Sequence, residues 1–284
     1  MPELPEVETV RRGLVPALAG ARIDRLEQRR ADLRFPLPAD LAERLEGATV
    51  LDVRRRAKYL VLPLSTGESL IAHLGMTGRF KVGAAVPGRF ARAADTEKHE
   101  HLVLHVGGGA MGAARVGFVD ARRFGYWDLV CTDDLDACRH FAGMGPEPLD
   151  AGWDGAALHA ALRGKRTPIK AALLDQRVVA GLGNIYVCEA LWRAGVSPRR
   201  QAAGIGAGRA AALAGHVKAV LAEAIAAGGS TLRDFAGAEG SSGYFQHSFD
   251  AYGREGGTCA RCGGTVARIA QSGRSTFYCG GCQR

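Results

Sequence analysis

The chain has 284 residues, which is enough for two domains of ordinary size. Its hydrophobic share of 47% and charged share of 23% are close to globular averages and exclude a disordered, collagen-like or coiled-coil protein. The formal net charge of +8 favours a polyanionic partner through long-range attraction and counterion release.

The first predicted element is a helix over residues 1 to about 17, with an apolar stripe of Val7, Val10, Leu14 and Leu18. From residue 21 to about 130, short segments alternate or run apolar between Gly, Pro or charged stretches, which predicts a β-rich sandwich or barrel. Loops are expected at residues 83–97 and at the Gly/Ala run 107–114. The predicted strands include residues 48–53, 59–64, 69–74, 101–106 and 116–119.

Residues 143–149 carry Gly and Pro at the density of a linker, and the apolar spacing beyond them becomes helical. Helices are predicted at about 154–163, 167–176, 183–194, 206–226 and 230–236, followed by a loop rich in Gly, Ser and Tyr. The predicted organisation is a β-rich domain 1–132, a linker 133–149, a helical domain 150–236, a loop 237–249 and a C-terminal segment 250–284.

Four cysteines near the C-terminus have the spacing of a structural zinc site: Cys259-x2-Cys262 and Cys279-x2-Cys282, with 16 residues between the pairs. Four thiolates leave no open position for water, so we expect one structural Zn²⁺ ion rather than a catalytic one. Residues 265–267 and 275–278 are predicted to form a β-hairpin closed by this ion. The remaining cysteines lack such spacing and are interpreted as small buried apolar residues: Cys131, Cys138 and Cys188.

The expected location is the cytoplasm. No apolar run approaches the ~20 residues needed to cross a bilayer, and the N-terminus lacks the basic-then-apolar layout of a signal peptide. Metal ligation by cysteines, rather than a disulfide framework, also fits a reducing compartment.

The proline at position 2 could act as a nucleophile. A small second residue permits removal of the initiator methionine, which leaves a free secondary amine. The reference pKa of an α-amine is roughly 8, so a useful fraction is unprotonated near neutral pH and can attack carbonyl-type carbons. Taken alone, a proline that merely begins the chain is the simpler explanation, and Glu3, Glu6 and Glu8 look like ordinary acids at a helix start.

Residues 1–14, MPELPEVETVRRGL, closely resemble the start of formamidopyrimidine-DNA glycosylases. Further motifs of that family follow in order along the whole chain, and several are individually distinctive. They lie at residues 55–60 (RRAKYL), 73–78 (HLGMTG), 98–101 (KHEH), 120–125 (DARRFG), 143–148 (GMGPEP), 181–186 (GLGNIY), 228–232 (GGSTL), 243–245 (GYF) and 273–278 (GRSTFY).

This resemblance implies a two-domain α+β fold. The N-terminal domain would be a β-sandwich with a flanking helix, and the C-terminal domain would be helical, with a helix-two-turn-helix and a β-hairpin zinc finger. The implied activity is excision of oxidised purines, with DNA held in the cleft between the domains. The implied partner is double-stranded DNA carrying an oxidised purine opposite cytosine, and we expect a monomer working at the bacterial nucleoid.

The resemblance also assigns catalytic roles. Pro2 would attack C1′ of the damaged nucleotide, and Glu3 would act as general acid and base. Lys58 and Arg274 would donate protons in the β- and δ-eliminations that cut the strand, although both are equally plausible as phosphate clamps.

Further matches predict DNA contacts. Met76, Arg122 and Phe124 occupy the family positions that fill the hole left by the extruded base, although an isolated Met or Phe is more often a core residue. Residues 230–245 correspond to a mobile loop that meets this base. The remaining predicted DNA contacts are His73, His99, Arg123, Arg166 and Asn184.

Some positions depart from the family pattern: residues 83–116 carry extra Gly, Ala and basic residues, Ala121 replaces a common proline, and Arg166 replaces a usual lysine. Two alternatives also stay open. One is an endonuclease VIII-like enzyme for oxidised pyrimidines, which shares the Pro-Glu terminus; Leu4 and the Met76, Arg122 and Phe124 set favour the purine enzyme. The other is a zinc-ribbon DNA-binding protein without catalysis, which would have no use for an exposed proline amine.

Overall fold

The structure is a computed structural model that describes residues 2–84, 98–231, 237–238 and 243–284, apart from the Ala84 side chain. The chain forms two compact units. The first unit combines Met1–Ala142 with Gly228–Gly243, and the second combines Gly143–Ala227 with Tyr244–Arg284. The chain therefore leaves the first unit, builds most of the second, and returns to the first before it ends in the second.

The described part of the first unit contains two antiparallel sheets. Its strands are β1 (Arg22–Gln28), β2 (Arg54–Arg56), β3 (Tyr59–Pro63), β4 (Glu68–His73), β5 (Arg79–Ala84), β6 (Glu100–Gly109), β7 (Gly112–Val119) and β8 (Tyr126–Cys131). One sheet has the order β1-β6-β7-β5 and the other has the order β2-β3-β4-β8. Every neighbouring pair is antiparallel.

The two sheets share one hydrophobic core. The Trp127 ring of β8 contacts Phe80 of β5 and Phe118 of β7, with ring centroids 6.0 and 5.7 Å apart. Leu60 of β3 belongs to the same core as Leu104 of β6. Inner faces that meet in this way make a sandwich, and the predicted α+β class with an N-terminal β-sandwich is confirmed.

Helix α1 (Leu4–Leu18) packs on the sandwich core through the apolar stripe that the sequence predicted. Val7, Val10, Leu14 and Leu18 are all fully buried. Burying each such side chain contributes about 1.5–3 kcal/mol, which fixes the start of the chain firmly. A short second helix, α2 (Leu41–Leu45), also contributes buried leucines to this core.

The predicted loop at residues 107–114 was wrong. Strands β6 and β7 run through this Gly/Ala stretch as a hairpin, with Val106 paired to Ala114 and Gly109 paired to Gly112. Ladder hydrogen bonds use only backbone groups, so small side chains do not prevent pairing. Gly109 is also favoured by its surroundings, since a Cβ there would lie 3.1 Å from the Ala17 carbonyl oxygen. Of the predicted loop 83–97, residues 83 and 84 belong to strand β5 instead, and residues 85–97 lie outside the described residues.

The second unit is helical and ends in a hairpin. Its helices are α3 (Gly155–Leu162), α4 (Ile169–Leu174), α5 (Asn184–Arg193) and α6 (Ala207–Ala226), each within two residues of its predicted bounds. The predicted hairpin is confirmed as β9 (Val266–Gln271) and β10 (Arg274–Cys279). The helix predicted at 230–236 and the loop predicted at 237–249 lie partly outside the described residues. Among the described residues, no helix is long and apolar enough to cross a membrane.

Candidate active site and metal centre

The N-terminal residues Pro2 and Glu3 are both buried at the head of α1. Glu3 is 3% exposed, and its backbone N–H donates a hydrogen bond of 2.8 Å to Glu6 Oε2. Glu6 lies in the first turn of α1, where a carboxylate is favoured by the helix dipole. Pro2 and the carboxyl group of Glu3 thus lie next to one another at a helix start that packing holds in place.

The same Glu6 carboxylate holds the returning segment of the first unit. Glu6 Oε1 accepts a hydrogen bond of 2.8 Å from the backbone N–H of Ser230. Gly229 adopts φ +80°, and a Cβ there would lie 3.1 Å from Glu6 Cγ. A Cβ on Gly243 would lie 2.3 Å from the Gly229 carbonyl oxygen, so the two ends of this segment also touch. One carboxylate therefore joins the start of the chain to the base of the loop that the resemblance assigned to the extruded base.

Lys58 lies in the tight turn between β2 and β3 and is 7% exposed. Arg55 shapes this turn by donating a hydrogen bond of 3.1 Å to the carbonyl oxygen of Ala57, whose φ is +52°. Arg55 also contacts Glu8 of α1 at 3.3 Å. Burial raises the pKa of Glu8, but hydrogen bonds from Arg11 and Arg12, with a smaller contribution from the Arg55 charge, outweigh it and hold the pKa below its usual value. The Arg55–Glu8 pair therefore connects helix α1 to the turn that carries Lys58.

His73 ends β4 inside an aromatic cluster. Its ring stacks on Tyr126, with centroids 5.1 Å apart, and tilts against Tyr59 at 4.8 Å. Its Nδ1 accepts a hydrogen bond of 3.0 Å from the Gly75 N–H. Burial and the positive charge of Lys58 lower the pKa of His73 to about 4. The ring is therefore neutral near pH 7, with its proton on Nε2, where it can serve as a donor.

We expect His73 to stay uncharged between pH 5 and 7, because even the lower end of this range lies about one unit above its pKa of about 4. Because the folded pKa lies below the ordinary value of 6.5, the unfolded chain binds the proton first, and stability falls as the pH falls from 6.5 towards 4. Imidazole ¹⁵N chemical shifts over this range would measure the pKa, with His73→Gln assigning the resonance. A midpoint near 6.5 would contradict this prediction.

Met76 and Phe124 lie on two loops that touch. A Cβ on Gly75, whose φ is +62°, would lie 2.2 Å from the Phe124 carbonyl carbon, so only glycine permits this approach. Phe124 is 41% exposed, which is unusual for a large aromatic residue. The Arg122 guanidinium lies 4.7 Å from the centre of its ring. Arg123 is exposed on the same loop, with φ +55°.

His99 is exposed and adopts φ +70° directly before β6. Its carbonyl oxygen accepts a hydrogen bond of 3.0 Å from the Asp120 N–H. Asp120 begins the loop that carries Arg122 and Phe124. The structure therefore joins five predicted DNA contacts in one region of the first unit: Met76, His99, Arg122, Arg123 and Phe124.

In the second unit, Arg166 is exposed between α3 and α4. Asn184 is the first residue of α5, and its Nδ2 donates a hydrogen bond of 2.9 Å to the Ser275 carbonyl oxygen of β10. Asn184 Oδ1 is buried, and no hydrogen-bond partner for it lies among the described residues. Its side-chain amide thus supports the hairpin from the start of α5.

Arg274 is exposed at the first position of β10, directly after the hairpin turn. Ser272 and Gly273 both have positive φ, 48° and 72°, as a type I′ turn requires. The buried Lys170 donates hydrogen bonds to the Ser275 carbonyl oxygen at 3.1 Å and to Thr276 Oγ1 at 2.6 Å. Helix α4 therefore supports the strand that presents Arg274.

The four predicted zinc ligands come together at the base of this hairpin. Their sulfur atoms all lie within 4.8 Å of one another, with Cys259 Sγ to Cys282 Sγ at 3.8 Å and Cys262 Sγ to Cys279 Sγ at 3.5 Å. A tetrahedron of Zn–S bonds has sulfur–sulfur edges of about 3.8 Å. The residues present therefore fit one structural Zn²⁺ ion, as predicted, with four thiolate ligands.

Sequence reasoning missed two buried charged residues that support the second unit. Lys170 is 1% exposed, and Glu189 of α5 is fully buried. Glu189 accepts three backbone hydrogen bonds of 2.7–3.0 Å from Asp250, Ala251 and Tyr252, and burial raises its pKa. Both residues interrupt otherwise apolar helical stretches, and that signal would have identified them as buried and partnered.

Comparison with known families agrees with this geometry over nearly the whole chain. Residues 1–127 match the formamidopyrimidine-DNA glycosylase N-terminal domain, and residues 144–236 match the formamidopyrimidine-DNA glycosylase H2TH domain. Residues 256–284 match the zinc finger found in FPG and IleRS. All three matches are consistent with the β-sandwich, the helices and the cysteine hairpin described above.

Individual relatives extend along the full length. The chain is 55% identical to formamidopyrimidine-DNA glycosylase of Chelativorans sp. strain BNC1 and 56% identical to that of Ruegeria pomeroyi, with 100% of each chain covered. Similar solved structures include a Lactococcus lactis FPG mutant with Fapy-dG containing DNA, at 34% identity and TM-score 0.87, and L. lactis Fpg with abasic site containing DNA, at 34% identity and TM-score 0.86; both are covered completely, as is this chain. The chain belongs to the formamidopyrimidine-DNA glycosylase family.

Proposed function

We propose that this chain is a bifunctional enzyme of base excision repair, a DNA glycosylase for oxidised purines that is also a lyase for abasic sites. The observation that carries the proposal is the identity of 55% or more, over complete chains, to formamidopyrimidine-DNA glycosylases. The proposed substrates are formamidopyrimidines and 8-oxoguanine in duplex DNA. A buried Pro2-Glu3 pair at the head of α1 supplies a nucleophile next to a carboxyl group, as this chemistry needs.

The proposed reaction begins at Pro2. Its unprotonated nitrogen forms a bond to C1′ of the damaged nucleotide, the C1′–N bond to the base breaks, and the base leaves with the bonding electrons and takes up a proton. Glu3 transfers the protons that accompany opening of the sugar ring and formation of the iminium. The cationic nitrogen then acidifies the C2′ proton. Its loss expels the 3′ phosphate, and a second elimination expels the 5′ phosphate.

Lys58 and Arg274 are proposed proton donors in these two eliminations. Lys58 is buried in its turn, and its positive charge lowers the pKa of the nearby His73. This effect supports the proposal of a site with several cationic groups close together. Arg274 is exposed on strand β10, where Lys170 and Asn184 both donate hydrogen bonds to the carbonyl oxygen of the next residue, Ser275. Both side chains also carry the positive charge that attracts the flanking phosphates.

The remaining predicted residues are proposed to bind the duplex. His73, His99, Arg123, Arg166 and the start of α5 at Asn184 would contact phosphates, whereas the exposed Phe124 and its neighbours Met76 and Arg122 would fill the vacated hole. The Arg122 guanidinium offers donors that suit an estranged cytosine. We propose a monomer that repairs purine lesions opposite cytosine in the bacterial cytoplasm, at the nucleoid.

Zinc has no step in this reaction. When bound to Cys259, Cys262, Cys279 and Cys282, it would supply only a fixed tetrahedral anchor for the hairpin. The chain's own contribution is then a rigid β10 strand that holds Arg274 in position.

A borohydride trapping assay tests the proposal. The purified protein should become covalently linked to duplex DNA containing 8-oxoguanine or a formamidopyrimidine opposite cytosine, and it should react much more slowly with thymine glycol. Preference for thymine glycol would instead favour the endonuclease VIII-like alternative. Tight binding of lesion DNA without any covalent product would favour a DNA-binding protein without catalysis.

A further inference from the structure

Two loops of the first unit carry the side chains proposed to fill the hole in the duplex. We name residues 74–78 and 120–125 the wedge loops, since they contain Met76 on one side and Arg122 with Phe124 on the other. The two loops approach each other closely at Gly75, where a Cβ would lie 2.2 Å from the Phe124 carbonyl carbon. Packing contacts are not directional, so a directional interaction is needed to fix the position of one loop relative to the other.

The Thr77 hydroxyl provides this interaction through two hydrogen bonds. Thr77 Oγ1 donates a hydrogen bond of 2.5 Å to Asp120 Oδ1, and the same hydroxyl oxygen accepts one of 3.1 Å from the Arg122 N–H. Asp120 Oδ2 accepts a third hydrogen bond of 2.7 Å, from the Gly125 N–H. One threonine hydroxyl and one carboxylate therefore connect the middle of the first wedge loop to both ends of the second.

The surroundings give these bonds their strength. Asp120 is fully buried, and hydrogen bonds to a buried carboxylate are stronger than those between neutral groups. Its backbone is held as well, because His101 Nε2 lies 2.8 Å from the Asp120 carbonyl oxygen. Gly125 has no room for a side chain, since a Cβ would lie 2.8 Å from the His73 carbonyl oxygen. Both ends of the second loop are thus fixed to the sandwich, and the Thr77 hydroxyl fixes its middle.

We propose that Thr77 and Asp120 are positioning residues that hold the two wedge loops as one rigid body. Met76, Arg122 and Phe124 then enter the duplex together and in a fixed relative position. This inference rests on the proposed function, because it concerns the step that opens the duplex. It assigns the hydroxyl to base extrusion and not to the chemistry at Pro2.

The consequence is a specific loss when the hydroxyl is removed. Valine has the shape of threonine but neither donates to Asp120 nor accepts from the Arg122 N–H. The wedge side chains then lose their fixed geometry, and misplacement by about 1 Å can cost on the order of a hundredfold in rate. A single-stranded abasic substrate has no stack to open, so cleavage of that strand does not depend on the wedge.

The experiment measures the ratio of two rates, excision from duplex DNA containing 8-oxoguanine and cleavage of a single strand containing an abasic site. Thr77→Val should lower this ratio by about ten- to a hundredfold, and Thr77→Ser, which keeps the hydroxyl, should restore it. The matched control is Thr132→Val, which removes the 2.9 Å hydroxyl contact to Ser69 at the other end of β4. A 2-aminopurine base beside the lesion should brighten on binding the wild type and Thr77→Ser, and much less on binding Thr77→Val.

An unchanged ratio in Thr77→Val would overturn the inference, and so would an equal fall in Thr132→Val, which would mean general weakening of the sandwich. Failure of the wild-type protein to cut either substrate would overturn the proposed function, and this inference with it. The single-strand rate and the melting temperature of each variant separate a folding defect from a positioning defect.

Discussion

Extension of the chain ahead of Pro2 is expected to abolish borohydride trapping and strand cleavage while leaving DNA binding measurable. Acylation turns the proline nitrogen into an amide, whose lone pair is delocalised into the carbonyl group and cannot attack C1′. A free terminal amine, by contrast, has a pKa of roughly 8 and is partly unprotonated near neutral pH. Trapping yield and nicking rate on duplex DNA containing 8-oxoguanine would measure the effect.

The matched control uses the same fusion with a cleavage site directly before Pro2. Removing the extension should restore trapping in the same sample, which excludes misfolding as the cause. Pro2→Gly should retain a weaker reaction, because glycine supplies a primary amine without the ring. Mass spectrometry of the mature N-terminus would establish which form is tested. Full activity of a protein that keeps a residue ahead of Pro2 would remove the proposed mechanism.

The second large effect is expected from loss of the zinc site. Structural zinc contributes about 10–16 kcal/mol of binding free energy in small fingers. The apolar cluster around the cysteines is small, with Trp192, Ala251 and Val266 beside Cys259 and Cys279 as its buried members. So small a core cannot hold the hairpin alone. Cys279→Ser, or chelation, should therefore unfold β9 and β10 and weaken DNA binding strongly, because Arg274 loses its position.

Zinc content, amide exchange over residues 256–284 and fluorescence anisotropy with lesion DNA would test this expectation. The control is Cys131→Ser, since Cys131 lies outside the cysteine cluster and is exposed, so that the interpretation of this residue as buried was wrong. It should change neither zinc content nor DNA affinity. Undiminished DNA binding after verified loss of the metal would contradict the role given to the hairpin.

Features set by local sequence were predictable. The stripe of α1 and the two cysteine pairs each depend on spacings of two to four residues, and both are confirmed in the structure. The hairpin through residues 107–114 was missed because its glycines carry no side-chain pattern, although backbone pairing does not need one.

Contacts between distant residues were not predictable from spacing. Thr77 and Asp120 are 43 positions apart, and nothing in either loop indicates that the hydroxyl and the carboxylate meet. The burial of Lys170 depends on β10, more than 100 residues later, whose carbonyl and hydroxyl groups receive its charge. The family resemblance predicted which residues contact DNA, whereas these supporting residues emerged only from the packing.

The first unit is discontinuous, and this constrains how the protein is made. Val82 donates a hydrogen bond of 3.0 Å to the Ala238 carbonyl oxygen, and Ala238 fills the space beside Gly13 of α1. During translation at 5–20 residues per second, roughly 5 to 20 s pass between synthesis of Ala142 and of Gly243. During this time the nascent sandwich lacks the Ala238 side chain beside Gly13 and the hydrogen-bond acceptor for Val82, which arrive only when the returning segment leaves the ribosome. A fragment that ends at residue 142 lacks the Val82 hydrogen bond and the Ala238 contact, and it should therefore melt at a lower temperature than the complete chain.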